Sequence, residues 1–360
     1  MTPLGERIAS LIETSGPISV AQYMALCLFD PQAGYYMTRE PFGRGGDFIT
    51  APEVSQMFGE LIGVWSAGAW HALGRPDPFI LCEIGPGRGT LMRDLLRVTS
   101  RVAPDLLRAA RVAMMEASPR LTEAQRIMLA ASPVPIAWHT RLDEIAPGPL
   151  VVIANELFDA IPVRQYVKIG GAFRERLVGL GTGGEFTFVA GAGSIDPSFL
   201  PEGGREAPEG AIFEAAPGRE AMMAEIASRI AARRGAALLI DYGHLVPGFG
   251  DTLQAIRRHR PEEVFASPGE ADLTSHVDFA ALSAAARAAG CRTAVKTQGR
   301  FLLEMGLLER AGRLGAGKSA SAQDAIRADV ERLAGPGGMG ELFKVLCVSD
   351  AATEVPPFGA

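Results

Sequence analysis

The sequence predicts an α/β protein organised around a mostly parallel β-sheet. From about residue 78 onward, short apolar segments that end in polar or glycine-rich turns alternate with amphipathic segments. Apolar runs of this length are typical of strands buried on both faces, and helices usually connect such parallel strands. The predicted strands lie within 78–87, 111–118, 134–140, 149–158 and 235–243.

The other elements follow in chain order. The stretch up to about Gly74 predicts helices, since "PISVAQYMALCLF" has helical apolar spacing and stops at Asp30-Pro31. Residues after 162 alternate in polarity between glycine turns, which predicts a β-hairpin or meander. Further helices are predicted at 90–98, 119–131, 218–234 and roughly 305–335, and two final strands within 291–306 and 340–350.

These segments predict the domain organisation. We expect an N-terminal helical cap at 1–75 that contributes to a ligand site, followed by a core at 76–350. The looser patterns at about 163–235 and 305–335 are interpreted as insertions into that core. A chain of 360 residues that is 48% hydrophobic can bury a substantial core of this kind.

Composition and charge limit the kinds of partner that the protein can bind and the cellular compartment in which it works. A net charge of −6, with no long run of Lys or Arg, disfavours nucleic acid as a partner. The cysteines are far apart and apolar in context, which predicts buried free thiols and a reducing compartment: Cys27, Cys82, Cys291 and Cys347. The first 16 residues read as an amphipathic helix rather than a leader, and no apolar run reaches transmembrane length. We therefore expect no membrane insertion and a bacterial cytoplasmic location, or the mitochondrial matrix in a eukaryote.

The loop "EIGPGRGTLM" carries the clearest ligand signal. Gly85, Gly87 and Gly89 follow a strand at a spacing of two and precede a helix. Glycines there let the backbone turn tightly and approach a ligand, while the helix N-terminus offers N–H groups. The dinucleotide pattern G-x-G-x-x-G would need glycine at Thr90, and E-x-G-x-G-x-G is the spacing of class I S-adenosylmethionine methyltransferases.

Two acidic residues extend this hypothesis. Glu116 ends the second predicted strand, where a carboxylate can accept hydrogen bonds from both ribose hydroxyls of S-adenosylmethionine or of NAD. Glu83 ends the first strand and can take an ammonium group, whereas it would be unfavourable beside a pyrophosphate. The two acids favour a methyltransferase over an NAD-dependent oxidoreductase, although both remain open at this point.

Polar residues after the fourth and fifth predicted strands are candidates for the acceptor side. Asn155, Glu156 and Asp159 follow the fourth strand, and ligands of open α/β sheets lie beyond such strand ends. Asn155 and Asp159 are equally typical of helix caps. His244, after the fifth strand with Asp241 and Tyr242, is a candidate proton acceptor or binding residue. No histidine or carboxylate spacing indicates a metal site.

The motifs together resemble one family. "CLFDPQAGYYM", "GDFITAPEVSQMFGELI", "EIGPGRGTLM", "NELFDAIPV", "IDYGH" and "DLTSHVDF" resemble the MidA-type methyltransferases, whose mitochondrial members are assembly factors of respiratory complex I. The resemblance implies a Rossmann-like class I fold with a seven-stranded sheet and S-adenosyl-L-methionine as cofactor. It also implies symmetric dimethylation of an arginine in a complex I large-subunit homologue. Its motifs place Glu83, the three loop glycines and Glu116 at the cofactor, and Asn155 and Glu156 where the acceptor is met. Asn155 is also a candidate cofactor-binding residue.

The segment before the glycine loop completes the predicted site. Thr50 and Glu53 have the spacing of a capping box around Pro52, which predicts the start of a helix there. We expect Asp47, Phe48 and Thr50 to lie over the cofactor, with Gln56 near them. A plain packing helix is the alternative interpretation of this segment.

The predicted chemistry is methyl transfer to a guanidinium. Glu156, helped by Asp159, would make a bidentate contact with the acceptor arginine. A small-molecule methyltransferase and a non-catalytic assembly chaperone with the same fold remain alternatives.

Overall fold

The computed structural model describes residues 1–39 and 50–359 of the chain. Its helices within those ranges are α1 (Pro3–Ser15), α2 (Val20–Phe29), α3 (Tyr35–Thr38), α4 (Ala51–Val54), α5 (Gln56–Ala72), α6 (Thr90–Val102), α7 (Pro104–Ala109), α8 (Pro119–Met128), α9 (Pro217–Arg233), α10 (Phe279–Ala288), α11 (Gln298–Glu304), α12 (Leu307–Gly315), α13 (Ala320–Ala334) and α14 (Met339–Leu342).

The strands of the same ranges are β1 (Ile18–Ser19), β2 (Phe79–Ile84), β3 (Ala110–Met115), β4 (Ile136–His139), β5 (Leu150–Asn155), β6 (Arg164–Ile169), β7 (Ala172–Leu180), β8 (Phe186–Ser194), β9 (Ile212–Ala215), β10 (Gly235–His244), β11 (Gln254–Arg257), β12 (Arg260–Glu262), β13 (Asp272–Thr274), β14 (Val277–Asp278), β15 (Arg292–Thr297) and β16 (Phe343–Ser349).

The chain divides into two units. The first holds the described residues of Met1–Phe48, together with Phe158–Ala221 and Leu245–Asp278. The second holds the described residues of Ile49–Leu157, together with Met222–His244 and Phe279–Ala360. The predicted boundaries of a cap at 1–75 and a core at 76–350 stay a prediction.

The second unit contains a twisted sheet in the strand order β15-β16-β10-β5-β2-β3-β4. Parallel pairing joins β4, β3, β2, β5 and β10, and the register sets Ile84 opposite Met115 and Ala154. β16 runs antiparallel to both β10 and β15, so β15 points the same way as the parallel strands. The predicted mostly parallel sheet is confirmed, with β16 reversed along this path of seven strands.

Burial explains why these segments form strands. All six residues of β2 and all six of β5 are buried, as expected for apolar runs with helices on both faces. The core of this unit combines side chains of that sheet with those of α5 and α6. α5 lies very close to α6, because a Cβ at Gly59 would meet Asp94 Cβ at 2.8 Å and one at Gly63 would meet Val98 Cγ1 at 2.5 Å.

The first unit is built from antiparallel sheets and the N-terminal helices. One sheet has the order β1-β7-β6-β9, with β8 paired to β7, and a small sheet has the order β12-β11-β13. The predicted meander after residue 162 is therefore confirmed as β6, β7 and β8. Tyr23, Met24 and Leu28 of α2 pack in a common core with Val178 and Phe186 of the sheet.

Several predicted elements are confirmed with shifted ends, and one prediction is wrong. The helical segment at 305–335 forms α12 and α13, while the C-terminal part of 291–306 is the helix α11 rather than strand. The predicted capping box is wrong, since the Thr50 side chain makes no cap hydrogen bond. α4 also ends after four residues, because Ser55 is extended and starts α5 as its N-cap.

No helix of the described residues is long and apolar enough to cross a membrane. Each of the four cysteines is buried with a free thiol, as predicted. Burial raises the pKa of Cys82 and of Cys347 to about 12, so these thiols are unreactive core groups.

Candidate functional site

The glycine loop lies between β2 and α6, as predicted. All three glycines have positive φ: 65° at Gly85, 54° at Gly87 and 82° at Gly89. A Cβ at Gly85 would stand 2.7 Å from Leu157 Cδ1. Gly89 is the N-cap of α6 and supplies no side-chain cap. The loop therefore needs glycine for its backbone shape, and it leaves N–H groups at the start of α6 for a ligand.

Gln125 links this loop to the acid on the next strand, and sequence reasoning missed it. Its fully buried side chain donates from Nε2 to Gly87 O at 2.8 Å and to Glu116 Oε2 at 3.0 Å. Its Oε1 accepts from Trp138 Nε1 at 3.0 Å. A buried glutamine with amide donors and acceptor all engaged fixes the distance between the loop and Glu116. The one available signal was a polar residue on the apolar face of α8.

Glu116 follows β3 directly, at the strand edge where the sequence placed it. Its Oε1 accepts from Ser118 N at 2.8 Å, so both carboxylate oxygens have a protein donor. Burial raises the pKa of this carboxyl, and the Ser118 and Gln125 donors act against that rise. A carboxylate held on both oxygens in this way presents a fixed pair of acceptors, as two neighbouring hydroxyls require.

Glu83 is the most strongly perturbed acid of the site. It is 2% exposed, and its Oε2 has no hydrogen-bond partner among the described residues. Burial raises the pKa of its carboxyl to about 8, with a smaller contribution from Glu116, and the Met92 backbone N–H opposes the change. A buried carboxyl with an unused oxygen is costly unless a ligand compensates it. It fits the binding of a cationic group.

The end of β5 holds two of the predicted acceptor-side residues. Asn155 is buried, donates from Nδ2 to Glu156 Oε1 at 3.0 Å, and has an Oδ1 without a partner in the described part of the chain. Glu156 has a φ of 50°, which is uncommon for a residue with a Cβ. Its backbone N–H donates to Ile240 O at 2.9 Å, so the strained turn is anchored to β10.

Glu156 also reaches the start of α4. Its Oε1 accepts from Ala51 N at 3.0 Å, which ties the residue after Thr50 to the end of β5. Glu53 accepts from Thr90 Oγ1 at 2.6 Å instead of capping its own helix, and so joins α4 to α6. The structure therefore brings Thr50 and the helix start to the glycine-loop side of this unit. Asp47 and Phe48 lie outside the described residues.

The remaining predicted residues have other surroundings. His244 is the last residue of β10 and is half-buried, while Asp241 of the same strand accepts from Tyr242 N at 2.9 Å. Asp159 belongs to the first unit, where its backbone carbonyl accepts from Arg219 Nη2 at 3.0 Å. Within residues 1–39 and 50–359, no group of three His, Cys, Asp or Glu residues has the arrangement of a metal site.

A family model of S-adenosyl-L-methionine-dependent methyltransferases matches residues 61–297. The chain belongs to this methyltransferase family. The class I fold and the cofactor S-adenosyl-L-methionine, both implied by the sequence resemblance, are thereby confirmed. The unpartnered Glu83 oxygen and the glycine loop fit this cofactor, which carries an ammonium group and a nucleoside.

Similar proteins cover nearly the whole methyltransferase. It is 36% identical to the "Protein arginine methyltransferase NDUFAF7 homolog, mitochondrial" of Drosophila melanogaster, over 96% of this chain and 84% of that protein. The protein arginine methyltransferase NDUFAF7 of Homo sapiens is 34% identical over 95% of this chain and 82% of its own length. A crystal structure of a Burkholderia thailandensis protein bound to S-adenosyl-homocysteine superposes with a TM-score of 0.85 at 28% identity, covering 98% of this chain and 92% of that one.

Proposed function

We propose that this methyltransferase modifies arginine side chains of a protein substrate. The observation that best supports this proposal is the similarity, along 95–96% of the chain, to relatives named protein arginine methyltransferases. The predicted insertions at about 163–235 and 305–335 support a macromolecular rather than a compact acceptor, because they would add surface that a small ligand does not need.

The cofactor is held, in this proposal, by the second unit. Glu83 receives the ammonium of the methionine part, and Glu116 receives the ribose hydroxyls. Gly85, Gly87 and Gly89 let the backbone approach the ligand. Thr50 lies at the edge of the same site, and Asn155 contributes its unpartnered Oδ1. The sulfonium of the bound cofactor supplies an electrophilic methyl group.

The acceptor needs orientation more than activation by a strong base. A guanidinium keeps its proton at neutral pH, with a pKa of about 12.5–13.8. The attacking nitrogen would form a bond to the methyl carbon as the carbon–sulfur bond breaks, which would leave S-adenosylhomocysteine, and the nitrogen would give up one proton. Glu156 is proposed to orient this guanidinium through its carboxylate, whose Oε1 also accepts from Ala51 N and Asn155 Nδ2. His244 is the proposed proton acceptor, and Asp159 stays a predicted helper.

The substrate proposed is the large subunit of respiratory complex I or its bacterial homologue, with symmetric dimethylation as the product. This finer assignment is supported by the resemblance of the motifs to the MidA-type family. The relatives are named mitochondrial proteins. For this chain we propose the bacterial cytoplasm, or the mitochondrial matrix in a eukaryotic host.

Calorimetric titration with S-adenosylmethionine, S-adenosylhomocysteine and NAD, followed by product analysis, tests the proposal. The first two ligands should bind and NAD should not, and Gly87→Val should abolish binding because valine is strained at a φ of 54°. Purified complex I large subunit should then gain methylarginine, detected by mass spectrometry, and Glu156→Gln should lower that turnover.

Three results would contradict parts of this assignment. If the protein bound the cofactor but methylated only small molecules, the assignment of a protein substrate would be wrong. Cofactor binding with no transfer to any subunit, together with full assembly activity of the Glu83→Gln variant in cells, would indicate a non-catalytic chaperone. Full turnover by Glu156→Gln would remove the proposed role of that carboxylate.

A further inference from the structure

Two acidic side chains lie at the N-terminus of α6. Glu83 accepts a hydrogen bond from the backbone N–H of Met92, in the first turn of this helix. Glu53 of α4 accepts from the hydroxyl of Thr90, the first residue of the helix, with 2.6 Å between Oε1 and Oγ1. A helix N-terminus attracts anions, and dinucleotide-binding folds place a pyrophosphate there. In this protein two of its own carboxyl groups lie at that end of the helix.

Glu53 has no cationic partner in the described part of the chain. It is half-buried, and the hydroxyl of Thr90 that it accepts from is a neutral donor. No described arginine or lysine pairs with it. Arg93 of α6 pairs with Asp94, and Arg88 of the glycine loop is exposed, where salt screens its charge. The Glu53 carboxylate therefore adds a negative charge at the start of α6 that no described cation neutralises.

The position of this carboxylate is fixed by both helices. Thr90 follows Gly89 directly and is 7% exposed, so its hydroxyl has little freedom. α4 is anchored at its first residue, where Ala51 N donates to Glu156 Oε1 at 3.0 Å. A carboxylate held at two ends in this way keeps its charge beside the glycine loop, which is the loop that fits the cofactor.

The cofactor and its product differ in charge at one atom. S-adenosylmethionine contains a sulfonium, and S-adenosylhomocysteine contains a neutral thioether in its place. The adenosine, the ammonium and the carboxylate are the same in both ligands. A fixed negative charge near the binding loop therefore stabilises the first ligand more than the second.

We propose that Glu53 is a specificity-determining residue that favours S-adenosylmethionine over S-adenosylhomocysteine through its charge. In the transfer, the carbon–sulfur bond breaks, the methyl carbon bonds to the acceptor, and the electron pair of the broken bond stays on sulfur. The positive charge leaves the cofactor in this step, so the attraction to Glu53 is lost and the product is released more readily. The inference depends on the cofactor and not on which acceptor takes the methyl group.

A purely structural role of Glu53 would have different consequences. Its hydrogen bond joins α4 to α6, and a carboxylate near a helix N-terminus also stabilises the helix. Loss of such a tie would lower the melting temperature and weaken both ligands to the same extent. The ratio of the two affinities therefore separates a role in charge discrimination from a role in packing.

The test is calorimetric titration with each ligand, without an acceptor, at low and at high salt. Glu53→Gln keeps an oxygen that can accept from Thr90 and removes only the charge. Thr90→Val keeps the charge and removes the hydrogen bond. Glu123→Gln is the matched control, because it removes an exposed acid of α8 in the same unit and changes the net charge equally. Thermal unfolding of each variant reports on the fold.

Glu53→Gln should bind S-adenosylmethionine about three- to tenfold more weakly and S-adenosylhomocysteine less than about twofold more weakly. Glu123→Gln should retain the affinity ratio of the wild type. Thr90→Val should change the ratio less than Glu53→Gln does, because the carboxylate is still present. In the wild type, the preference for S-adenosylmethionine should decrease as salt is raised, since Glu53 is accessible to solvent.

Several outcomes would overturn the proposal. An equal loss of affinity for both ligands in Glu53→Gln would leave this residue only its structural tie, and unchanged affinities would remove any role at the cofactor. A wild-type ratio that does not respond to salt would overturn the proposal even if the variants failed to fold. The expected ratios together with no arginine methylation would support the role of Glu53 and reject the proposed function instead.

Discussion

The raised pKa of Glu83 predicts that ligand binding releases a proton. With a carboxyl pKa of about 8 in the ligand-free protein, about 0.9 of the molecules carry this proton at pH 7. A bound ammonium stabilises the ionised form and lowers the pKa. Binding of S-adenosylhomocysteine at pH 7 should therefore release about 0.9 proton. Its affinity should rise about ninefold between pH 6.0 and 7.0, because the ionised fraction rises from about 1/101 to 1/11.

Calorimetry in buffers of different ionisation enthalpy measures this proton count. Glu83→Gln should remove the release and weaken binding about 10- to 100-fold, the loss expected for a hydrogen bond to a charged group. Glu123→Gln, an exposed acid on α8, should change neither quantity. The same raised pKa also affects folding. Because the folded protein holds this proton more tightly than the unfolded chain does, the ligand-free protein loses stability as pH rises through about 8. A proton count near zero in the wild type would refute the assignment of the cation to Glu83.

Two further predictions concern packing and the support of the cofactor site. Gly63→Ala should destabilise the protein by about 1–3 kcal/mol in thermal unfolding, because its Cβ would meet Val98 Cγ1 at 2.5 Å, whereas Gly68→Ala in the same helix has open space and should stabilise by about 0.5–1 kcal/mol. Gln125→Leu should leave the fold intact and weaken S-adenosylhomocysteine about tenfold, since Glu116 loses a charge-assisted hydrogen bond; unchanged affinity in calorimetry would show that Glu116 needs no such support.

The strands of the parallel sheet could be predicted because their burial leaves a direct pattern. β2 and β5 are buried at every position, and a short continuous apolar run that ends in a turn is typical of such a strand. The carboxyl end of a parallel strand then fixes where Glu83, Glu116 and Asn155 stand, since neighbouring ends meet at one edge. The position of these three residues along the chain was therefore enough to predict where they lie on the sheet.

Contacts between residues that are far apart in the sequence could not be predicted in the same way. The spacing of Thr50 and Glu53 indicated a local capping box, but Glu53 bonds Thr90 on another helix. The role of Gln125 depends on Gly87 and Glu116 being within reach, which no periodicity reveals. A local pattern competes with tertiary partners that are equally able to satisfy the same groups, and the sequence does not rank them.

The non-glycine residues with positive φ differ in where they lie in the fold. Among the described residues, the non-glycine positions with positive φ are Arg75, Glu156, Arg234, Arg258 and His259. Arg75 and Arg234 follow helices, where a left-handed residue is the usual termination. Glu156 instead follows a strand, and its strained turn delivers a carboxylate oxygen to the Ala51 N–H at 3.0 Å. Because a positive φ at a residue with a Cβ leaves no pattern in the sequence, the turn that positions Glu156 could not be predicted, even though the residue itself was a candidate for the site.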